Sequence, residues 1–164
     1  MLHHLSITAH NPQHVAQVLA DLFQGESFPF PASSYPDSYV AVALDSYGTV
    51  VDVHPFSTEL IPGSSDEGFQ QRQNADSSPY SATHVAISVP VSEEQIEAIA
   101  AREGWRMKRR SGFLDVIEFW LENRILIELL PPALASSYLA FMEPKTFKQF
   151  LIAAALRKKV HSES

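Results

Sequence analysis

The chain has 164 residues and 45% hydrophobic content, which fits one globular domain or two small fused modules. The net charge of −7 argues against general nucleic-acid binding, because contacts with phosphates need clustered cations. The absence of cysteine excludes disulfides, cysteine–zinc sites, iron–sulfur clusters and thiol nucleophiles. No apolar run reaches the roughly 18 residues that a membrane span needs. The N-terminal residues lack the layout of a signal peptide, so a cytoplasmic protein is expected.

Two segments of the sequence repeat each other at a distance of 80 residues. Residues 4–9 and 84–89 each begin with histidine and then alternate in polarity, which is the pattern of a half-buried strand. Each segment is followed by the start of a helix. Pro12 follows a capping Asn11 in the first copy, and Ser92 with Gln95 predicts a capping box in the second.

The second halves of the two copies also correspond. Residues 39–44 and 49–54 predict two strands around a turn, and residues 113–121 and 125–130 predict the matching pair. A weaker strand is predicted before each pair, at 26–30 and 105–109. The order strand, helix, strand, strand, strand therefore occurs twice, which predicts an α+β fold built from two βαβββ modules.

The predicted organisation has a first module at residues 1–55, a linker at 56–82, a second module at 83–132 and a C-terminal helix with its tail at 133–164. The linker is rich in Ser, Gly, Gln, Asp and Pro, which predicts little regular structure. Residues 144–159 predict one amphipathic helix that covers the modules. We expect the two modules to form a single structural domain.

Alternation places the polar side chains of the predicted strands on one face. The apolar side chains of each first strand are expected to pack on the helix, which leaves the histidine on the opposite face. The same parity turns the acidic residues of each last strand toward that face. The shared face then carries His4, Asp52, His54, His84 and Glu128. Two imidazoles with one or two carboxylates suit a divalent Fe, Mn, Ni, Co or Zn ion.

A simpler interpretation is open for each of these residues. A histidine near the start of a strand is commonly a surface residue, and Glu128 could pair with a basic residue across the sheet. The basic residues at 106, 108, 109 and 110 form either a site for an anionic molecule or a solvated strand edge. A metal site is favoured because histidine and carboxylate recur at matching places in both copies.

This repeated pattern resembles the vicinal-oxygen-chelate superfamily, the group of glyoxalase I, bleomycin-resistance proteins, fosfomycin-resistance proteins and extradiol dioxygenases. The resemblance covers about residues 2–55 and 83–131 and implies two curved mixed sheets that form a cup around one metal ion. It implies His4, His84 and Glu128 as metal ligands. The remaining ligand position falls on Asp52, which would be a fourth ligand or a base, with His54 as its substitute. Asp52 and Glu128 are the residues expected to take part in catalysis.

The resemblance implies a metal-dependent enzyme that acts on a small molecule with adjacent oxygens, of the lyase, isomerase or dioxygenase type. Dependence on glutathione is not expected, because Thr8 and Phe56 stand where glyoxalase I has its glutathione-binding Arg and Asn. The alternative is a metal-free small-molecule binder of the bleomycin-resistance type. Members of the superfamily often pair, so a homodimer is also an expectation. Neither a nucleic acid nor a membrane is an expected partner.

Overall fold

The computed structural model describes residues 3–30, 37–62, 69–82, 84–112 and 114–162, with side chains as far as residue 153. Residues 1 and 83, at which the two modules are predicted to begin, lie outside the described residues. Among the described residues, no helix is both long and apolar enough to cross a membrane.

The first module is a four-stranded mixed sheet with one helix on it. Its strand order is β1-β4-β3-β2, and β1 runs parallel to β4 while the other neighbours are antiparallel. The elements are β1 (His4–Ala9), α1 (Pro12–Phe23), β2 (Glu26–Pro29), β3 (Tyr39–Val42) and β4 (Val50–Pro55). The Asn11 side chain caps α1 by accepting from the His14 N–H, as predicted.

The linker contains a regular element that the composition did not predict. Strands β5 (Thr58–Ile61) and β6 (Gln70–Gln73) pair as an antiparallel hairpin. Side chains stabilise the pairing across the two strands, since Arg72 contacts Glu59 at 2.6 Å and the Gln73 amide donates to Thr58. The expectation of little regular structure is therefore wrong for these residues. Side-chain pairs across the two strands stabilise the hairpin although its hydrophobicity is low.

The second module repeats the first. Its sheet has the order β7-β10-β9-β8, with β7 parallel to β10 and the other pairs antiparallel. The elements are β7 (Val85–Ser88), α2 (Glu93–Glu103), β8 (Met107–Arg110), β9 (Val116–Leu121) and β10 (Ile125–Leu130). Both hydrogen bonds of the predicted capping box at Ser92 and Gln95 are present. The predicted α+β fold of two βαβββ modules is confirmed, and both sheets are open.

Two helices, and not one, follow the second module. They are α3 (Pro132–Phe141) and α4 (Pro144–Ser162). Pro144 separates them because proline lacks an N–H and is accommodated in the first turn of a helix but not in its interior. Helix α3 packs on β10 through Leu134, and Phe141 contacts Phe147 and Phe150 of α4 with ring centroids 5.9 and 5.2 Å apart.

The helices cover the apolar faces of the two sheets. The buried residues of α1 include Val15, Val18, Leu19 and Leu22, and they belong to one core cluster with Val51 and Val53 of β4. In the second module Ile96 of α2 joins Ile117, Phe119, Ile127 and Leu129 in the same cluster. Full burial of each large aliphatic side chain contributes about 1.5–3 kcal/mol. The apolar side chains of the strands therefore pack against the helices, which leaves the other face of each sheet for polar groups.

A charged clasp joins α1 to α2. His14 lies 2.5 Å from the Glu103 carboxylate, and Arg102 contacts Asp21 at 2.8 Å. Burial raises the pKa of Glu103, but hydrogen bonds from Arg102 and His14 outweigh it and hold the pKa below its usual 4.5. The ionised form of Glu103 is therefore favoured in the folded protein.

The turn between β9 and β10 makes a second link between the modules. The Glu122 carboxylate accepts from the backbone N–H groups of His10 and Asn11, at 2.7 and 2.8 Å, at the start of α1. A carboxylate at this end of a helix is favourable, because it pairs unsatisfied N–H groups and opposes the helix dipole. The two modules are thus joined through polar contacts at both ends of α1.

Replacing Glu103 by Gln should weaken the clasp in a pH-dependent way. A lowered folded-state pKa stabilises the protein fully above about pH 4.5, and this contribution is lost as the pH falls below 4.5 and through the lowered pKa. We expect thermal denaturation between pH 7 and pH 3 to show Glu103→Gln less stable than the wild type at pH 7, with the difference shrinking only below about pH 4.5. The control is Glu97→Gln, at an exposed position of the same helix. A gap that stays constant over this range would contradict the prediction.

Gly25, between α1 and β2, should not tolerate a side chain. A Cβ atom there would lie 1.9 Å from the Val42 carbonyl oxygen, whereas a Cβ at Gly112 would meet nothing closer than 3.9 Å. We expect Gly25→Ala to destabilise the fold by about 1–3 kcal/mol or more, because backbone must move. Chemical denaturation of Gly25→Ala beside Gly112→Ala measures this. Equal losses in the two variants would show that close approach at Gly25 is unimportant.

Candidate functional site

The polar face of the first sheet brings His4 and Asp52 into contact. In the parallel pairing of β1 with β4, Ser6 lies opposite Asp52. His4 is two residues earlier on the same face, and its Nε2 lies 2.6 Å from Asp52 Oδ2 and 3.1 Å from Ser6 Oγ. The Asp52 side chain is only 6% exposed, whereas that of His4 is 57% exposed. A buried carboxylate therefore holds an imidazole that is open to small molecules.

The contact has a consequence for the chemistry of His4. A carboxylate oxygen accepts, so the Nε2–H of His4 donates to Asp52. In the neutral imidazole the lone pair then lies on Nδ1. This is the arrangement in which a carboxylate fixes the tautomer of a histidine that binds a metal or accepts a proton.

His54 lies on the same face, two residues after Asp52, and is buried. Its Nδ1 is 3.1 Å from Ser38 Oγ, and its ring centroid is 6.2 Å from that of Phe30. Burial lowers the pKa of His54, an effect that Asp52 opposes and His4 reinforces. The imidazole is therefore neutral near pH 7, the state in which histidine binds metals.

The second sheet repeats the placement of histidine and carboxylate. Glu128 of β10 lies opposite Ala86 of β7, as Asp52 lies opposite Ser6. His84 is two residues before Ala86, as His4 is two residues before Ser6. The register thus places His84 and Glu128 at positions equivalent to those of His4 and Asp52.

The contacts of the second pair differ from those of the first. Nδ1 of His84 lies 3.2 Å from the Ala82 carbonyl oxygen. Glu128 accepts from Arg110 Nη2 at 2.9 Å, and Nε of the same guanidinium lies 3.2 Å from Glu118. Arg110 is on β8, so the simpler interpretation of Glu128, a pairing with a basic residue across the sheet, describes its contact here.

These contacts also divide the predicted cationic cluster between the two faces of the second sheet. Arg109 pairs with Asp115 and with Glu93 of α2, on the helix side. Arg110 turns to Glu118 and Glu128 on the other side. The sequence singled out both arginines but did not predict their different partners, which depend on strand parity.

The four expected metal ligands have suitable donor atoms but do not lie together in the described residues. Their imidazole and carboxylate donors have the chemistry of a borderline metal site. Within the described part of the chain, however, no group of three or more His, Asp or Glu side chains is placed to hold an ion. The structure presents instead a His4–Asp52 pair, with His54 beside it, and a Glu128 bound to Arg110. The described part of one chain therefore does not assemble His4, His84, Glu128 and Asp52 into one set.

One cavity lies beside His4 and another lies beside His84 and Glu128. A cavity of about 270 Å³ is lined by His4 and Leu5 of β1, Ala86 and Ser88 of β7, and Phe23 of α1. It therefore lies between β1 of the first module and β7 of the second. Another cavity of about 290 Å³ is lined by His84, Arg110, Glu128 and Tyr138. Tyr138 lies on α3, a helix that the βαβββ pattern of the sequence did not predict.

No model of a known protein family matches the chain, and no curated protein matches it significantly. Solved structures are similar in shape. The fosfomycin resistance protein FosX from Mesorhizobium loti aligns over 83% of this chain and 95% of its own, with 12% identity and a TM-score of 0.49. FosX from Listeria monocytogenes, in complex with Mn(II) and sulfate, aligns over 79% and 87%, with 15% identity and a TM-score of 0.46. A structure described as a possible glyoxalase from Bacillus cereus aligns over 79% and 96%, with 15% identity and a TM-score of 0.45.

Two of these neighbours are fosfomycin resistance proteins and one is described as a possible glyoxalase. These kinds of protein are among those named in the resemblance drawn from the sequence. Identities of 12–15% with TM-scores of 0.45–0.49 assign no activity to this chain. A function for this chain therefore has to be inferred from the chemistry of its own side chains.

Proposed function

We propose that the protein is a metal-dependent enzyme that acts on a small molecule with adjacent oxygens, by a lyase, isomerase or dioxygenase type of reaction. The observation that carries the proposal is the equivalent register of His4 with Asp52 and of His84 with Glu128. In each sheet the histidine stands two residues before the residue that pairs with a buried or half-buried carboxylate. Two unrelated surface histidines would not be expected to share this placement.

The proposed metal-binding groups are His4, His84, Glu128 and Asp52, with His54 as the substitute for Asp52. The ion would be divalent Fe, Mn, Ni, Co or Zn, and it would supply Lewis-acid polarisation of a substrate oxygen. Because the described residues of one chain do not assemble three of these ligands, the proposal includes a homodimer, in which a second copy would add ligands to the set.

Two of the chain's own groups have defined roles in this proposal. Nδ1 of His4 would bind the ion, because the Nε2–H of the same ring is held by Asp52. Asp52 would orient His4 through Oδ2, and the role that the sequence predicted for Asp52, a fourth ligand or a base, stays part of the proposal. Glu128 would belong to the metal set, and its partner in this structure is Arg110.

The cavity beside His4 supports a small substrate with an apolar part. Its polar groups, among them His4 and Ser88, stand beside the apolar Leu5, Ala86 and Phe23. A ligand with oxygens at one end and a compact apolar body at the other matches this lining, because burial of the body and hydrogen bonding of the oxygens are both satisfied.

Metal content tests the proposal directly. Protein purified without chelator should retain a divalent ion, or bind added Mn(II) in titration calorimetry. His4→Ala and His84→Ala should each weaken binding by at least about tenfold, since each removes one ligand. The control is His10→Ala, because the His10 ring contacts Phe56 and not Asp52. A wild type that binds no divalent ion, even after supplementation, would rule out the metal-dependent function.

A second candidate function is metal-free binding of a small molecule. The observation that favours it is the ion pair of Glu128 with Arg110, which gives this carboxylate a cation without any metal. In this case ligand binding would be the same with and without a chelator. Binding that requires the metal would exclude the second candidate.

Filling the cavity should block ligand binding in either case. Ala86→Trp places a large ring among the lining residues, whereas Leu60→Trp adds the same ring on the exposed face of the linker hairpin. The probe is mandelate, a 2-hydroxy acid with a phenyl ring, and its binding is followed by NMR shift perturbation with Zn(II) present. We expect Ala86→Trp to remove at least about nine tenths of the binding, because overpacking excludes the ligand. Retained binding in Ala86→Trp would place the ligand elsewhere.

A further inference from the structure

The turn between β3 and β4 borders the cavity that lies beside His4. Asp45, Tyr47 and Thr49 of this turn line the cavity together with His3 and His4. Tyr47 is 56% exposed, so it stands on the open side of the cavity, where a ligand would enter. An aromatic side chain at such a place offers a large apolar surface to a ligand.

Hydrogen bonds hold the backbone of this turn in place. The Asp45 carboxylate accepts from the N–H groups of Tyr47 and Thr49, both at 3.0 Å, and from the Thr49 hydroxyl at 2.6 Å. The hydrogen bonds from Thr49 hold the pKa of Asp45 below its usual 3.8, so the carboxylate is ionised near pH 7. On the other side, Nδ1 of His3 donates to the Tyr47 carbonyl oxygen at 2.6 Å. Tyr47 is therefore fixed at both its N–H and its C=O.

The equivalent turn of the second module uses its side chains differently. Glu122 binds the start of α1, and the Arg124 guanidinium lies 4.3 Å from the ring centroid of Phe56. That turn therefore joins the two modules. Within the described residues, by contrast, the Tyr47 side chain forms no hydrogen bond or ring contact. The turn needs the Asp45 carboxylate, but nothing in its own structure requires an aromatic residue at position 47.

We propose that Tyr47 determines the specificity of this cavity, by selecting a substrate whose apolar part is an aromatic ring. The ring of the substrate packs on that of Tyr47, and its oxygens lie toward His4. This orientation follows from charge, since the ionised Asp45 repels a carboxylate that lies next to the turn. The inference rests on the proposed function, because it assigns the apolar part of the same substrate, but Tyr47 belongs to none of the expected metal ligands.

The test compares two ligands that differ only in the apolar part. Mandelate and lactate are both 2-hydroxy acids, with a phenyl ring in the first and a methyl group in the second. Their affinities for the full chain are measured by NMR titration with Zn(II) present. The wild type should bind mandelate more tightly than lactate. Tyr47→Ala should weaken mandelate binding roughly three- to tenfold and leave lactate binding nearly unchanged, because an aromatic pair is lost only with mandelate.

Two further variants separate contact with the ligand from support of the fold. Tyr47→Phe keeps the ring and should keep the preference for mandelate. Tyr80→Ala removes a tyrosine that is 66% exposed and lies outside the lining of the cavity, and it should bind both ligands as the wild type does. An equal loss of both ligands in Tyr47→Ala would overturn the inference, since the tyrosine would then only support the cavity.

The outcomes distinguish this inference from the proposed function. If Tyr47→Ala binds mandelate as tightly as the wild type does, the inference is wrong and the proposed function stands. If the wild type binds neither ligand, with Zn(II) or with a chelator, the inference is also wrong. If the preference for mandelate depends on Tyr47 equally with Zn(II) and with a chelator, the inference is supported while the metal-dependent function is contradicted.

Discussion

The parallel pairing of the first strand of each module with its last strand is the constraint on which the site depends. It places residues from the two ends of a module side by side, although 46 positions separate Ser6 from Asp52 in the sequence. Because side chains alternate along each strand, this pairing also decides which of them meet. A shift of one residue would turn Asp52 into the helix-covered core and would separate it from His4.

The same position is neutralised differently in the two modules. A carboxylate removed from water needs a partner that carries or shares positive charge. Asp52 is almost fully buried and takes the Nε2–H of His4. Glu128 has a side chain one methylene longer and takes Arg110 from two strands away. One module therefore presents an oriented imidazole, and the other presents a carboxylate paired with a guanidinium.

Much of the fold followed from local features of the sequence. The histidine-led strands, the Asn11 cap, the capping box at Ser92 and the apolar stripes all act within a few residues, and all are present in the structure. The linker hairpin was missed because its pairing depends on Glu59, Arg72 and neighbouring polar side chains. A segment with so polar a composition is predicted to be a loop. Helix α3 was missed for a different reason, because it depends on packing against β10.

Strand parity in the sequence determined by itself which face of its own sheet each of His4, Asp52, His54, His84 and Glu128 would occupy, since alternation is a property of the extended backbone. It could not determine which of them touch. That depended on how far each side chain reaches across the sheet and on which competing partner lies nearer. Arg110 shows the difference, because its charge was visible in the sequence, but only the pairing of β8, β9 and β10 brought it to Glu118 and Glu128.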